Sequence, residues 1–235
     1  MKIGLAVYEF KNNDPTFNIS QIEKAMGGVQ GIVDLLCFGE SFLQGFDSLV
    51  WDYERDKNAA VSANSETMER LCGLTLKYGV DLLIGYMERS SEKIYSSCAL
   101  IEKGKLVHNY RRISKGWKEY TITDEHYCEG SETDEISYRG RLFRIALCGD
   151  LWDYPEKFKT TGVLIWPIYV NFGEGDWARY EAEYVQQAGL AAKKTLLINS
   201  ISHDPDAIGG GFCFEDGRIK DRLSYGTEGV LTVDI

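Results

Sequence analysis

The chain reads as a mixed α/β sandwich. Segments of helical period alternate with short apolar runs in its first and last thirds, and hairpin-like pairs lie between them. At 235 residues, 44% hydrophobic and 26% charged, it has the composition of an ordinary globular protein and the length for one domain with a sizeable core. No linker, low-complexity tract or internal repeat divides residues 1–235. Periodicity alone leaves the order of strands in the sheets open.

The elements follow in order. Lys2–Tyr8 is an apolar run of strand type. Ile19, Ile22, Met26 and Val29 recur at helical spacing and predict a helix over 18–30. Leu35–Phe38 is a short strand. Ser65 can cap a second helix with Met68, Leu71, Cys72 and Thr75 on one face, because its hydroxyl can accept from a free N–H of the first turn. Val80–Tyr86 is a strand, and Ser97–Ile101 pairs with Lys105–Arg111 around Lys103-Gly104. Arg141–Leu147 is an apolar strand that ends at Cys148, and Val163–Trp166 is a short strand. Asp176 can cap a third helix that turns Trp177, Tyr180, Tyr184, Ala188 and Ala191 to the core. Thr195–Ser200 is a strand of buried type. Phe212–Glu215 and Val230–Asp234 close the chain around the turn Glu215-Asp216-Gly217-Arg218. Three irregular stretches remain, 41–62, 115–138 and 201–210. Long loops inside a compact domain are often functional.

Three strand ends carry side chains suited to chemistry. The run Arg144-Ile145-Ala146-Leu147 ends at Cys148 and turns toward Pro155. A side chain at such a corner can face a pocket while its backbone stays fixed, although a lone buried cysteine is more often inert filler. Leu35-Leu36-Cys37-Phe38 leads through Gly39 to Glu40. The third strand ends in Tyr110-Arg111-Arg112, with Lys115, Lys118 and Glu119 close behind. Two glycine signatures accompany them: Ile84-Gly85-Tyr86, and Gly209-Gly210-Gly211-Phe212 with Asp216-Gly217-Arg218-Ile219. In this order, across nearly the whole chain, these segments resemble the nitrilase superfamily of carbon–nitrogen hydrolases.

The resemblance implies a four-layer α-β-β-α sandwich of the nitrilase type over residues 1–235, with the active site at one end between the two sheets. It implies a cysteine hydrolase that cleaves a non-peptide carbon–nitrogen bond, in a small-molecule amide, through a thioester on Cys148. A free thiol is mostly protonated at neutral pH, so the chemistry needs a base. Glu40 is the candidate, and it would return the proton to the leaving nitrogen. Glu119 stands where the resemblance implies a second glutamate that positions the basic residue, with Glu125 and Glu129 as substitutes. Gly149, Trp152 and Asn171 stand where relatives contact substrate, and the Gly149 N–H can join an oxyanion hole. A homodimer is implied through Tyr154–Phe158 and the helix from Trp177.

The sequence departs from the family pattern at the basic residue. Relatives read Tyr-Arg-Lys where this chain has Tyr110-Arg111-Arg112. Arginine keeps the charge but is planar, bulkier and harder to deprotonate, so the exchange is not conservative. Arg112 or Lys115 can fill the lysine's role, and Lys118 reads as solvated. Gly149 replaces an aromatic residue and Trp152 an arginine, while Asp150 and Glu156 keep the pattern. Two other readings stay open: a nitrilase acting on nitriles, and a weakly active or inactive binding protein of the same fold, to which Arg112 points.

Other classes find little support. A net charge of −10 argues against a nucleic-acid footprint. No cofactor is expected. The glycines at 209–211 lack the lysine and hydroxyl of a phosphate loop. His108, His126 and His203 lie far apart without ligand spacing, and no metal is expected. The cysteines at 37, 72, 98, 128, 148 and 213 are scattered, which suggests a reducing compartment and no structural disulfide. No signal peptide is visible, and no apolar run approaches the roughly 18 residues of a membrane span, so the expected location is cytoplasmic.

Overall fold

The computed structural model describes all 235 residues. Two six-stranded sheets are built from β1 (Lys2–Val7), β2 (Leu35–Cys37), β3 (Asp81–Ser90), β4 (Lys93–Glu102), β5 (Lys105–Arg111), β6 (Ile136–Tyr138), β7 (Arg141–Ile145), β8 (Thr160–Ile168), β9 (Ala192–His203), β10 (Asp206–Glu215), β11 (Arg218–Arg222) and β12 (Gly229–Asp234). The first sheet runs β12-β1-β2-β3-β4-β5 and the second β11-β10-β9-β8-β7-β6. In each, three central strands are parallel and the outer ones antiparallel. The helices are α1 (Pro15–Val29), α2 (Tyr53–Ala59), α3 (Glu66–Tyr78), α4 (Asp150–Asp153) and α5 (Glu174–Ala191), with a 3₁₀ turn at Pro155–Phe158.

Side-chain alternation along β1 shows how the layers form. Ile3 and Leu5 join the larger core with residues of the second sheet, such as Leu164, Trp166 and Leu197. Ala6 points the other way, into a core with Ile19, Ile22 and Met26 of α1 and Met68 and Leu71 of α3. Trp177, Tyr184 and Ala188 of α5 pack with the second sheet. The order is helices, sheet, sheet, helix, the four-layer sandwich that the resemblance implies.

Several boundaries differ from the sequence reading, each for a local reason. α1 starts at Pro15 because the Asp14 carboxylate accepts from Phe17 N at 2.9 Å, and proline suits a first helical turn. Ser65 caps α3 as expected, accepting from Met68 N at 3.3 Å. Asp176 does not cap α5. The helix begins at Glu174, and Asp176 reaches back to accept from Gly173 N at 2.9 Å. The stretch 201–210 is a hairpin, with β9 and β10 paired out to His203 opposite Asp206. The turn at Asp216-Gly217 joins β10 to β11, whereas β12 crosses to pair with β1 in the other sheet.

The other two irregular stretches are joined to each other. Asp56 of α2 is buried and accepts from Val50 N at 3.0 Å, Trp51 N at 2.8 Å and the Tyr127 hydroxyl at 2.7 Å. One carboxylate thereby organises 41–62 and ties it to 115–138. All six thiols are free. No helix is long and apolar enough to cross a membrane.

Candidate active site

The corner after β7 holds Cys148 in the left-handed region, at φ 40°. A non-glycine residue there carries a strain of about 1–3 kcal/mol, which the surroundings must hold. Three bonds do so. Cys148 N donates to Pro167 O at 3.0 Å, Trp166 Nε1 donates to Cys148 O at 2.9 Å, and Leu147 N donates to Asp150 Oδ2 at 2.8 Å. The thiol is half-buried and its Sγ lies 3.8 Å from Tyr169 O.

Glu40 follows β2 and is fully buried. Its chain passes hard against β3: a Cβ on Gly85 would lie 2.5 Å from Gly39 O and 2.7 Å from Glu40 Cα. That close approach accounts for glycine in the Ile84-Gly85-Tyr86 signature. Arg112, buried just past β5, donates from Nη1 to Glu40 Oε1 at 2.8 Å and from Nε to Ser114 Oγ at 2.8 Å. Ser96 of β4 donates to the same Glu40 oxygen at 3.1 Å. Glu40 Oε2 is buried with no partner at hydrogen-bond distance. It is the acceptor left open to a thiol proton.

These neighbours set the charges. Burial pushes the Cys148 thiol up to about 12, and the Glu40 carboxylate adds to the rise, while Arg112 and the Tyr169 carbonyl pull it down. The resting sulfur is therefore a thiol at neutral pH. Burial works against the Arg112 charge, but Glu40, Cys148 and Asp150 outweigh it and hold the guanidinium above its ordinary value. Replacing one member of such a buried pair typically costs about 3–5 kcal/mol, because the other charge is left alone.

Asp150 is the hidden organiser of this end. It is fully buried and accepts from Tyr110 OH at 2.6 Å, Ile113 N at 3.1 Å, Ser114 N at 2.7 Å and Leu147 N at 2.8 Å. It joins the end of β5, the loop behind Arg112 and the cysteine corner. Burial raises its pKa against the pull of these donors and of Arg112.

The side chains of the other expected residues make no hydrogen bond to Glu40, Arg112 or Cys148. Lys115 is exposed, its Nζ 5.4 Å from the Tyr120 ring. Glu119 is also exposed, and only its backbone carbonyl is engaged, by Ile122 N, Thr123 N and the Thr123 hydroxyl. Glu129 is the loop acid with a cation: Lys118 Nζ lies 3.0 Å from its Oε1, and the Tyr120 hydroxyl donates to it. The Lys118 side chain is 7% exposed rather than solvated, because Glu129 and the Tyr127 carbonyl receive its ammonium. Trp152 is 40% exposed and packs on Tyr184 and Trp166 at 5.1 and 6.1 Å. Asn171 is exposed. No group of three His, Cys, Asp or Glu side chains is placed to hold a metal ion.

Ser96 and Ser114 did not figure in the sequence reading. Their signals were present: a hydroxyl pair, Ser96-Ser97, inside an apolar strand, and a serine two residues past the arginine.

A family model described as carbon–nitrogen hydrolase matches residues 2–153. The chain belongs to that family. The match takes in all three strand ends and stops just past Cys148. Among curated carbon–nitrogen hydrolases, an arylacetone-specific nitrilase of Alcaligenes faecalis is 28% identical over 179 residues, 72% of this chain and 48% of the nitrilase. An (R)-stereoselective amidase of a Pseudomonas species is 23% identical over 164 residues, 70% of this chain and 57% of the amidase. The chain thus aligns with about half the length of these two relatives. In fold, a CN-hydrolase superfamily protein of Xanthomonas campestris superposes with a TM-score of 0.80 at 14% identity, over 99% of this chain and 89% of its own. An amidase of a Nesterenkonia species superposes with a TM-score of 0.79 at 18% identity, over 100% and 90%. That structure is of a glutamate-to-glutamine mutant and shows covalent addition of the acetamide moiety of fluoroacetamide at the active-site cysteine.

Proposed function

We propose that this carbon–nitrogen hydrolase cleaves a small-molecule amide through a thioester on Cys148. The observation that carries the reading is the meeting of the Glu40 carboxylate, the Arg112 guanidinium and the Cys148 thiol at one buried corner. Glu40 takes the thiol proton as sulfur attacks the amide carbon, and the carbonyl electron pair moves onto oxygen. Arg112 meets that developing charge. Collapse breaks the C–N bond, and Glu40 gives its proton to the departing amine. Water then attacks the thioester with Glu40 accepting its proton, the C–S bond breaks, and the carboxylic acid leaves as the sulfur regains its proton. The thiol's raised pKa supports a base-assisted attack over a standing thiolate.

The amidase and nitrilase relatives support carbon–nitrogen chemistry without choosing between amide and nitrile. Mass spectrometry after incubation with a panel of small amides and nitriles tests both. An acyl adduct on Cys148 identifies the acyl group, and Cys148→Ala is expected to abolish turnover while keeping the fold. Full activity in that variant sinks the covalent route. If the native chain acts on none of the panel, the binding-protein reading gains. A reducing, cytoplasmic setting and a homodimer through Tyr154–Phe158 and the helix that carries Trp177 complete the proposal. A mass of only 26.6 kDa by light scattering at micromolar concentration counts against the dimer.

A further inference from the structure

Two departures from the family pattern, an arginine at 112 and a glycine at 149, meet in space. Gly149 has φ −62° and ψ −12°, angles that any residue adopts, so the backbone does not call for glycine. The space does. A Cβ at 149 would stand 2.5 Å from Arg112 Nη2 and 3.1 Å from Ser114 Oγ. The end of an arginine usually gives way to such a contact, but this one is held. Nη1 is bonded to Glu40 and Nε to Ser114, while the backbone N–H donates to Ser96 O at 2.9 Å and the carbonyl accepts from Gly130 N at 2.8 Å. Nη2 is the one guanidinium nitrogen with no protein acceptor, and the Gly149 N–H has none either. Both free donors lie beside the Cys148 corner.

We infer that Arg112 and Gly149 form one unit, in which the missing side chain at 149 lets Arg112 Nη2 stand beside the Gly149 N–H as a two-donor cradle next to Cys148. That the cradle receives the oxygen of a tetrahedral intermediate rests on the hydrolase reading. The pairing itself rests on space alone. Gly149 is thus a positioning residue for Arg112. A lysine at 112 is thinner and lacks the second nitrogen, so it has no need of the vacancy. An arginine held at 112 in this way therefore requires the absence of a Cβ at 149.

The test needs no substrate. Iodoacetamide alkylation of Cys148 is followed against pH in the native chain, Gly149→Ala, Arg112→Lys and the double variant, with circular dichroism melts as the check on folding. Arg112 lowers the thiol pKa, so displacing its guanidinium raises the pKa and slows alkylation. Gly149→Ala is expected to slow the reaction by about tenfold in the native background, the effect of one pKa unit on the thiolate fraction. In the Arg112→Lys background the same substitution is expected to change it by less than twofold. A Gly149→Ala chain that fails to fold while the double variant folds supports the unit as well. Equal slowing in both backgrounds, no slowing in the native one, or failure of both alanine variants to fold overturns it. If the non-additive pattern appears but no amide or nitrile is turned over, the pairing stands and the hydrolase reading falls. Turnover with an additive pattern gives the reverse.

Discussion

An arginine in place of a lysine changes what this corner can hold. The planar fork reaches Glu40 and Ser114 at once and still keeps Nη2 free, which one ammonium cannot do in a plane. Arg112→Ala removes the charge that meets the intermediate in the proposed mechanism and leaves Ser96 as the hydrogen-bond donor to the buried Glu40 carboxylate. Turnover of any amide that the native chain cleaves is expected to fall by about 10²–10³, as when one oxyanion donor is lost. Lys115→Ala is expected to change it by less than twofold, because that side chain is exposed. A dead Lys115→Ala beside an active Arg112→Ala moves the role to the loop. Cys148, Glu40 and Arg112 were legible because their segments stand in the order that resembles the family, whereas a strand end alone marks none of them. Ser96 carried only the signal of a hydroxyl pair in an apolar strand, and its place beside Arg112 comes from the pairing of β4 with β5. The loop acids could not be ranked either. Glu119 and Glu129 have the same chemistry, and it is the path of residues 115–130 that exposes one and gives the other Lys118.

Among the elements, β3, β4 and β5 share a second buried carboxylate, Glu88. It accepts from Ser97 Oγ at 2.7 Å, Asn109 Nδ2 at 2.9 Å, and Arg111 Nε and Nη2 at 2.8 and 2.6 Å. Burial works against its charge, but these donors, Arg111 foremost, hold its pKa below the ordinary glutamate value. A lowered folded pKa means that the folded chain favours the carboxylate. Its contribution to stability is complete above the unfolded value of about 4.3 and disappears as pH falls through the lower folded value. Glu88→Gln is expected to be less stable than the native chain by about 2 kcal/mol at pH 7. That gap should narrow as the pH drops below about 4. Urea melts across that range check both, and a constant gap means that Glu88 contributes through shape rather than charge. Most elements were visible from periodicity, including α1, α3, α5 and the β4–β5 hairpin. The β9–β10 hairpin was hidden because Pro205 and the glycines at 209–211 read as loop, although Pro205 only occupies the turn and pairing continues through Gly210 and Gly211. Asp176 misled for a related reason: a carboxylate can serve a helix start from inside the first turn as well as from its cap.

At the scale of the whole molecule, two buried carboxylates pin the sheets together at opposite ends. At the end where β2, β3 and β7 begin, Asp81 of β3 accepts from Tyr138 OH at 2.7 Å and Arg139 Nη2 at 2.9 Å, both from the β6–β7 side. At the end where β2, β5 and β7 stop, Asp150 accepts from Tyr110 of β5 and from Leu147 beside the cysteine. Neither pin was legible, because strand order between two sheets is a tertiary property that hydrophobic period does not encode. The pins differ in what else they touch. Asp81 is remote from Glu40, Arg112 and Cys148, whereas Asp150 also holds Ile113 and Ser114 behind the guanidinium. Asp81→Asn is expected to cost about 1–3 kcal/mol. For a chain of this length the melting temperature then falls by about 2–4 °C per kcal/mol. The alkylation rate of Cys148 is expected to hold, since distant sites without shared partners act independently. Asp150→Asn turns an amide N–H toward donors that a carboxylate had satisfied, so it is expected to lower the melting temperature and to slow alkylation together. Melts and alkylation rates on the two variants separate a clamp from a clamp that also shapes the site. If Asp81→Asn slows Cys148 as much as Asp150→Asn does, the two ends are coupled through the sheets, and the corner at Cys148 depends on the packing of the whole sandwich rather than on its own hydrogen bonds.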